Sequence, residues 1–295
     1  MTTTNISVPG TILRALTKRQ LRPHARKCLA SIFYNFFFCQ YRSALLKKLP
    51  ISRVDHELDA RIPFTPAWDK IYMDFTPFWI RLVGFLLGEF GKKAWPAVIH
   101  IFDSVAVLYD FAGEIYGKNL STTTRPFHIK GFRFFLMHAC DPHLMCIPSL
   151  HVMVMIRAYT QFAKIMKSLV DDGSYESLVA EIRRGARDIT EAILYVKQHS
   201  VNCVAASMYA MTRFDPELFP PEEAEDFAAR LFTTGGAEPA SPADSLPRMN
   251  SETADLAREY ILGLYRIFLS QGAAVPEREQ WAKPLLDFLA SCPRH

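Results

Sequence analysis

Between residues 150 and 212 the chain reads as two helical legs with one clear stop, Asp171-Asp-Gly173, the first opening on Val152-Met-Val-Met-Ile156, a run apolar enough to be buried. About twenty residues run out and about twenty run back, each leg near 30 Å at ~1.5 Å per residue. An antiparallel return of that length brings residue 199 back to the start of the outgoing helix. The return helix starts near Ser174, carries Ile189, Ala192, Ile193 and Val196 on one stripe, and is predicted to pass through His199 to about Thr212. Other helices are expected at 28–48, 78–92, 95–116, 251–270 (capped by Ser251) and 277–290, with an acidic helix beginning at Pro220. No strand-period alternation of useful length occurs. The class is all-α.

Chemistry-bearing residues gather where the two legs meet. Pro148-Ser149-Leu150-His151 is turn chemistry at a helix start, with Ser149 as the cap and the first N–H groups free to favour an anion. His199 and Cys203 lie four apart, on one face of the return helix. Upstream, Lys118-Asn-Leu-Ser-Thr-Thr-Thr-Arg125-Pro126 places two cations in a hydroxyl-rich loop, which suits a phosphate.

In this order the three stretches resemble the type 2 phosphatidic acid phosphatase and vanadium haloperoxidase superfamily. Lys118, Arg125 and Pro126 match its Lys-x6-Arg-Pro motif, and Pro148, Ser149 and His151 match Pro-Ser-x-His. Of its third motif, Ser-Arg-x5-His-x3-Asp, only His199 is present: Ala192 and Ile193 stand at the Ser-Arg pair and Cys203 at the aspartate. Asp141-Pro142 and Ile62-Pro-Phe-Thr-Pro-Ala-Trp68 resemble the inositol phosphorylceramide synthase-like branch, over about residues 55–215. The resemblance implies a helical bundle with extra C-terminal helices, acting as a phosphatase or phosphotransferase on a phosphorylated small molecule or lipid. His199 would attack phosphorus, His151 protonate the leaving oxygen, and Lys118, Arg125 and the Ser149 N–H hold the phosphoryl oxygens. Cys203 would stand where a carboxylate orients the nucleophile. No cofactor or metal is implied. The alternative is a non-catalytic relative that keeps the phosphate pocket or only a structural role.

Charge divides the chain. Residues 1–54 hold ten Lys/Arg and no Asp or Glu, so the remainder carries −6 of the net +4. Together with the aromatic run at 33–41, the segment 14–53 reads as a surface for anionic membranes, or equally as a solvated basic tail leading into a core helix; no nucleic-acid motif accompanies it. The chain therefore divides into a basic arm and first helix (1–54), a phosphatase-like core (55–215), and a linker with C-terminal helices (216–295). Six cysteines without C-x2-C spacing read as free thiols of a reducing compartment. No uncharged apolar run reaches the eighteen or so residues of a membrane span. A membrane-associated or cytoplasmic bundle is expected.

Overall fold

The computed structural model describes residues 3–46, 48–126, 134–135, 141–170, 173–233, 239–274 and 280–295. With 72% helix and 3% strand, the protein is all-α. Helices α1 (Val8–Thr17), α2 (Arg22–Ile32) and α3 (Cys39–Leu46) precede a short strand β1 (Ile51–Arg53). Then come α4 (Glu57–Arg61), α5 (Asp69–Met73), α6 (Phe75–Glu89), α7 (Trp95–Tyr116) and strand β2 (Leu120–Thr122). The expected hairpin is α8 (Leu150–Leu169) with α9 (Glu176–Tyr195), followed by α10 (Val201–Phe214), α11 (Pro221–Ala229), α12 (Ser251–Ala273) and α13 (Lys283–Ser291). The expected segment 130–140 and the stop at 171–172 fall largely outside the described residues.

Helix α8 is the centre, packed by α6, α7, α9 and α10. Its run Val152-Met-Val-Met-Ile156 is apolar all round and fully buried, as an enclosed helix requires. Arg157, in the same helix, is buried too. It pairs with Asp215 at 2.5 Å and donates to Ser104.

The return leg is not one helix, contrary to expectation. It ends at Tyr195, and Lys197 takes a left-handed φ of +56°. Three groups from the α4 region hold the break open. Lys197 Nζ donates to the Asp59 and Ile62 carbonyls, and Asp59 Oδ1 accepts the Val201 N–H at 2.9 Å. Ser200 then caps α10 by accepting from Asn202 N. His199 thus lies in a tight connection between two helices.

The basic N-terminal segment is folded into the bundle along one side. Leu21, Ala25 and Cys28 are buried as α2 runs along α7. Helix α1 lies so close to α6 that a Cβ on Gly84 would sit 2.4 Å from Thr11 Oγ1. Strands β1 and β2 pair in parallel, Ile51 with Leu120, and Ser52 also bridges Arg294 in antiparallel sense. At the C-terminal side, Asn250 rather than Ser251 caps α12, accepting from Thr253 N at 2.8 Å. Helix α13 begins at Lys283, later than expected, and 275–279 lie outside the described residues. One helical stretch, Pro66–Glu89, is long and apolar enough to cross a membrane by length and composition; half of its most apolar window is buried in the bundle.

A charged seam joins α9 to the segment before α12. Asp188 accepts from Arg184 at 3.0 Å and from Ser241 at 2.5 Å, and Glu191 pairs with Arg248 at 2.7 Å. Glu191 also accepts the Phe232 N–H at 2.6 Å. Burial, with the neighbouring Asp188, raises the Glu191 carboxyl to about 7, although Arg248 and Arg184 pull the other way.

Candidate active site

His151 and His199, on opposite sides of the hairpin, face each other with ring centroids 5.4 Å apart. His151 is half-buried between Tyr72 and Phe75, with centroids 4.7 and 4.4 Å away. Burial, and secondarily the charge of His199, push its pKa down to about 3, so it is neutral at pH 7. His199 Nε2 lies 3.3 Å from Ser149 Oγ, while its buried Nδ1 has no hydrogen-bond partner. If the serine hydroxyl donates to Nε2, the ring carries its proton on Nδ1.

Ser149 occupies the N-cap position of α8 but makes no side-chain cap bond. Its hydroxyl faces His199, and its N–H is donated to Ser207 Oγ at 2.7 Å. The expectation that this N–H is free for a phosphoryl oxygen is therefore corrected: Ser207, reaching across from α10, uses it.

Arg125 is tied beside the histidines. It donates to Gln198 Oε1 at 3.2 Å and to the Asp141 carbonyl at 3.3 Å. Lys118 is not brought to the cleft. It is exposed at the end of α7, with its N–H turned back to the Ile115 carbonyl at 2.9 Å, and β2 carries the chain onward from there. Cys203 is buried near the site but does not orient His199, whose Nδ1 stays unpartnered. The reason is the break before α10: His199 precedes the helix start and does not lie one turn below Cys203.

The thiol of Cys203 meets that of Cys146 instead, and in this second group neither His143 nor Cys146 was given a role from the sequence. Asp141 Oδ1 accepts the His143 N–H at 2.8 Å, and its Oδ2 lies 3.8 Å from His143 Nδ1. His143 Nε2 is 2.7 Å from Thr123 Oγ1 and 3.5 Å from Cys146 Sγ. Burial opposes charge on all three groups, yet their mutual contacts prevail. Burial would raise Asp141, but His143 and Arg125 bring it down to about 2. Burial would lower His143, but Cys146 and Asp141 raise it to about 9. The Cys146 thiol is likewise pulled well below its ordinary value, against burial, by Cys203 and by the charge and hydrogen bond of His143. Cys203 is pushed up by burial and by Cys146. The order Asp141-x-His143-x2-Cys146 was a usable signal, because acid, imidazole and thiol in sequence are the parts of an activated nucleophile.

The cleft lined by Asp141, His143, Cys146, His151 and His199 encloses about 10 Å³, the space of one water molecule. Among the described residues no group of three or more His, Cys, Asp or Glu is arranged to hold a metal ion. No protein-family model matches this chain, and no curated protein or solved structure is similar to it.

Proposed function

We propose that the chain is a phosphoester phosphatase or phosphotransferase that works through a phosphohistidine at His199, on a bundle related to the phosphatidic acid phosphatases and haloperoxidases. One observation carries this reading: His151 and His199, forty-eight positions apart, oppose each other with Ser149 on Nε2 and Arg125 alongside. In the proposed reaction the His199 Nε2 lone pair forms the N–P bond as the ester P–O bond breaks. The leaving oxygen takes a proton from His151, and water then cleaves the N–P bond and returns a proton to His151. Arg125 stabilises the charge on the phosphoryl oxygens. Because His151 is neutral in the free site, its proton must arrive with substrate, whose own negative charge raises the imidazole. Turnover should therefore be slow and should fall as pH rises.

A second reading, a non-catalytic relative, is favoured by different observations. The cleft holds about one water, the Ser149 N–H is occupied, and Lys118 stands outside. Phosphate release from a panel of soluble and lipid phosphomonoesters separates the two, with His199→Ala as control. Release that disappears in the control, together with acid-labile phosphorylation of His199, supports the enzyme. Release equal in both proteins, or none at any pH, leaves the non-catalytic reading.

A further inference from the structure

The outward side of the N-terminal helices carries side chains that bundles usually bury. Helix α2, a wide π-type turn at Phe33–Phe38 and α3 follow one another as a nearly continuous rod. Its inner stripe, with Ala25, Cys28 and Gln40, is buried towards the bundle. On the outer stripe Leu29, Phe33, Phe37, Tyr41 and Leu45 recur every fourth residue and are 47, 64, 36, 41 and 81% exposed. In an α-helix such a row would drift around the axis; the widened turn, with more residues per revolution, keeps it straighter. A second row, Tyr34 stacked on Phe38 at 5.5 Å, lies beside it and is also exposed. With Leu46, these side chains expose on the order of 700 Å² of largely apolar surface, above the largest patch of a typical monomer.

Charge decides what such a face can meet. Residues 1–54 contain no acid. Arg26 is exposed near one end of the row, and Arg42 and Lys48 near the other. Arg42 and Lys48 line a cleft of about 300 Å³ together with Asn35 and Ser43, a set of cations and hydrogen-bonding groups suited to a phosphate. Two carboxylates of α7, Asp103 and Asp110, are engaged on the inner seam by His24, Ser31 and Asn35. A second copy of this chain would set one acid-free basic face against another, which like charges oppose.

We propose that α2 and α3 form an interfacial surface for bilayers containing anionic phospholipid. The rod lies in the headgroup plane with the aromatic row inserted and with Arg26, Arg42 and Lys48 on lipid phosphates. The inference is independent of phosphoryl transfer and is read without any activity.

The test is flotation of the full chain with vesicles of phosphatidylcholine alone or with phosphatidylserine added. Binding should be at least tenfold tighter to the anionic vesicles. It should weaken at least tenfold between 0.1 and 1 M salt, as the Debye length falls from ~10 to ~3 Å. Phe33→Ser/Phe37→Ser/Leu45→Ser should reduce binding at least tenfold at an unchanged melting temperature, because these positions are exposed. Arg42→Glu/Lys48→Glu should remove the preference for anionic lipid. The proposal is overturned if the wild type ignores vesicles or binds both kinds equally, or if the triple variant binds as well as wild type. It is also overturned if the wild type is a dimer that the triple variant dissolves.

Discussion

Two of the buried polar clusters among the described residues follow opposite rules. In the seam between α9 and the segment at 241–248, each buried carboxylate meets a guanidinium, Asp188 with Arg184 and Glu191 with Arg248. In the candidate site, three imidazoles and two thiols crowd together, with the Asp141 carboxylate shared by His143 and no partner for His199 Nδ1. The seam fixes one stretch of chain to another. The site instead holds Asp141 and His143 charged and His151 neutral, each displaced from its ordinary pKa, and perturbed groups of that kind cluster at functional sites. Each cluster keeps one buried nitrogen without a partner, Arg248 Nε in the seam and His199 Nδ1 in the site, but only the imidazole has no carboxylate beside it.

Breaking each cluster should therefore fail in a different assay. His199→Ala should lower phosphate release by on the order of 10³-fold or more while leaving the melting temperature unchanged or slightly higher. A large loss of stability would instead place His199 among the structural groups.

Arg248→Met should do the reverse. It leaves Glu191 buried without its charge partner and should cost roughly 3–5 kcal/mol in denaturant unfolding, with unchanged turnover per folded molecule. Loss of turnover in the folded fraction would tie the two clusters together.

Cys203→Asp tests which thiol belongs to the site. Its side chain would meet Cys146, itself held towards thiolate, and not His199 Nδ1. The expected result is a loss of about 2–4 kcal/mol and no gain in phosphate release. A tenfold gain would restore the orienting role that the motif spacing suggests.

The smallest effects concern pH. Glu191 binds its proton more tightly folded than unfolded, so its contribution is full below about pH 4.5 and is lost as pH rises towards 7. His151, held down near 3, acts oppositely: its contribution is full above about pH 6.5 and is lost as pH falls towards 3. Glu191→Gln should flatten the fall in stability above pH 4.5, and His151→Asn the decline on the acid side. Unaltered stability–pH curves would show that neither burial matters energetically.

Much of the bundle was legible because it follows local rules. Trp95–Tyr116 and Leu150–Leu169 agree closely with the expected 95–116 and 150–170, since Pro96, Pro148 and unbroken apolar runs mark them. The break at 196–200 was not legible: Asp59 and the carbonyls at 59 and 62, about 140 residues away, hold it. Ser149 misled for a similar reason. Local chemistry made it a cap, and Ser207 and His199 took its hydrogen bonds. His143 and Cys146 carried no role in the sequence, because only tertiary packing joins them to Thr123 and Cys203. The aromatic run at 33–41 gave a helix, and sequence alone left open which face would point outward.

The bridge between Ser52 and Arg294 bears on how the protein is made. Ser52 and Asn119 share a guanidinium 242 residues beyond Ser52: Arg294 Nη1 donates to Ser52 Oγ at 3.2 Å and to Asn119 Oδ1 at 2.9 Å. At ~5–20 residues per second a ribosome needs roughly 10–50 s to cover that span. For roughly the last 5–20 s of it, after residue 199 has been made, a nascent chain contains every histidine of the candidate site, yet β1 lacks its outer neighbour and β2, which leads into the Arg125 loop, is incompletely anchored. Any activity should therefore appear only once the segment at Arg294 is available to pair, rather than grow steadily with chain length.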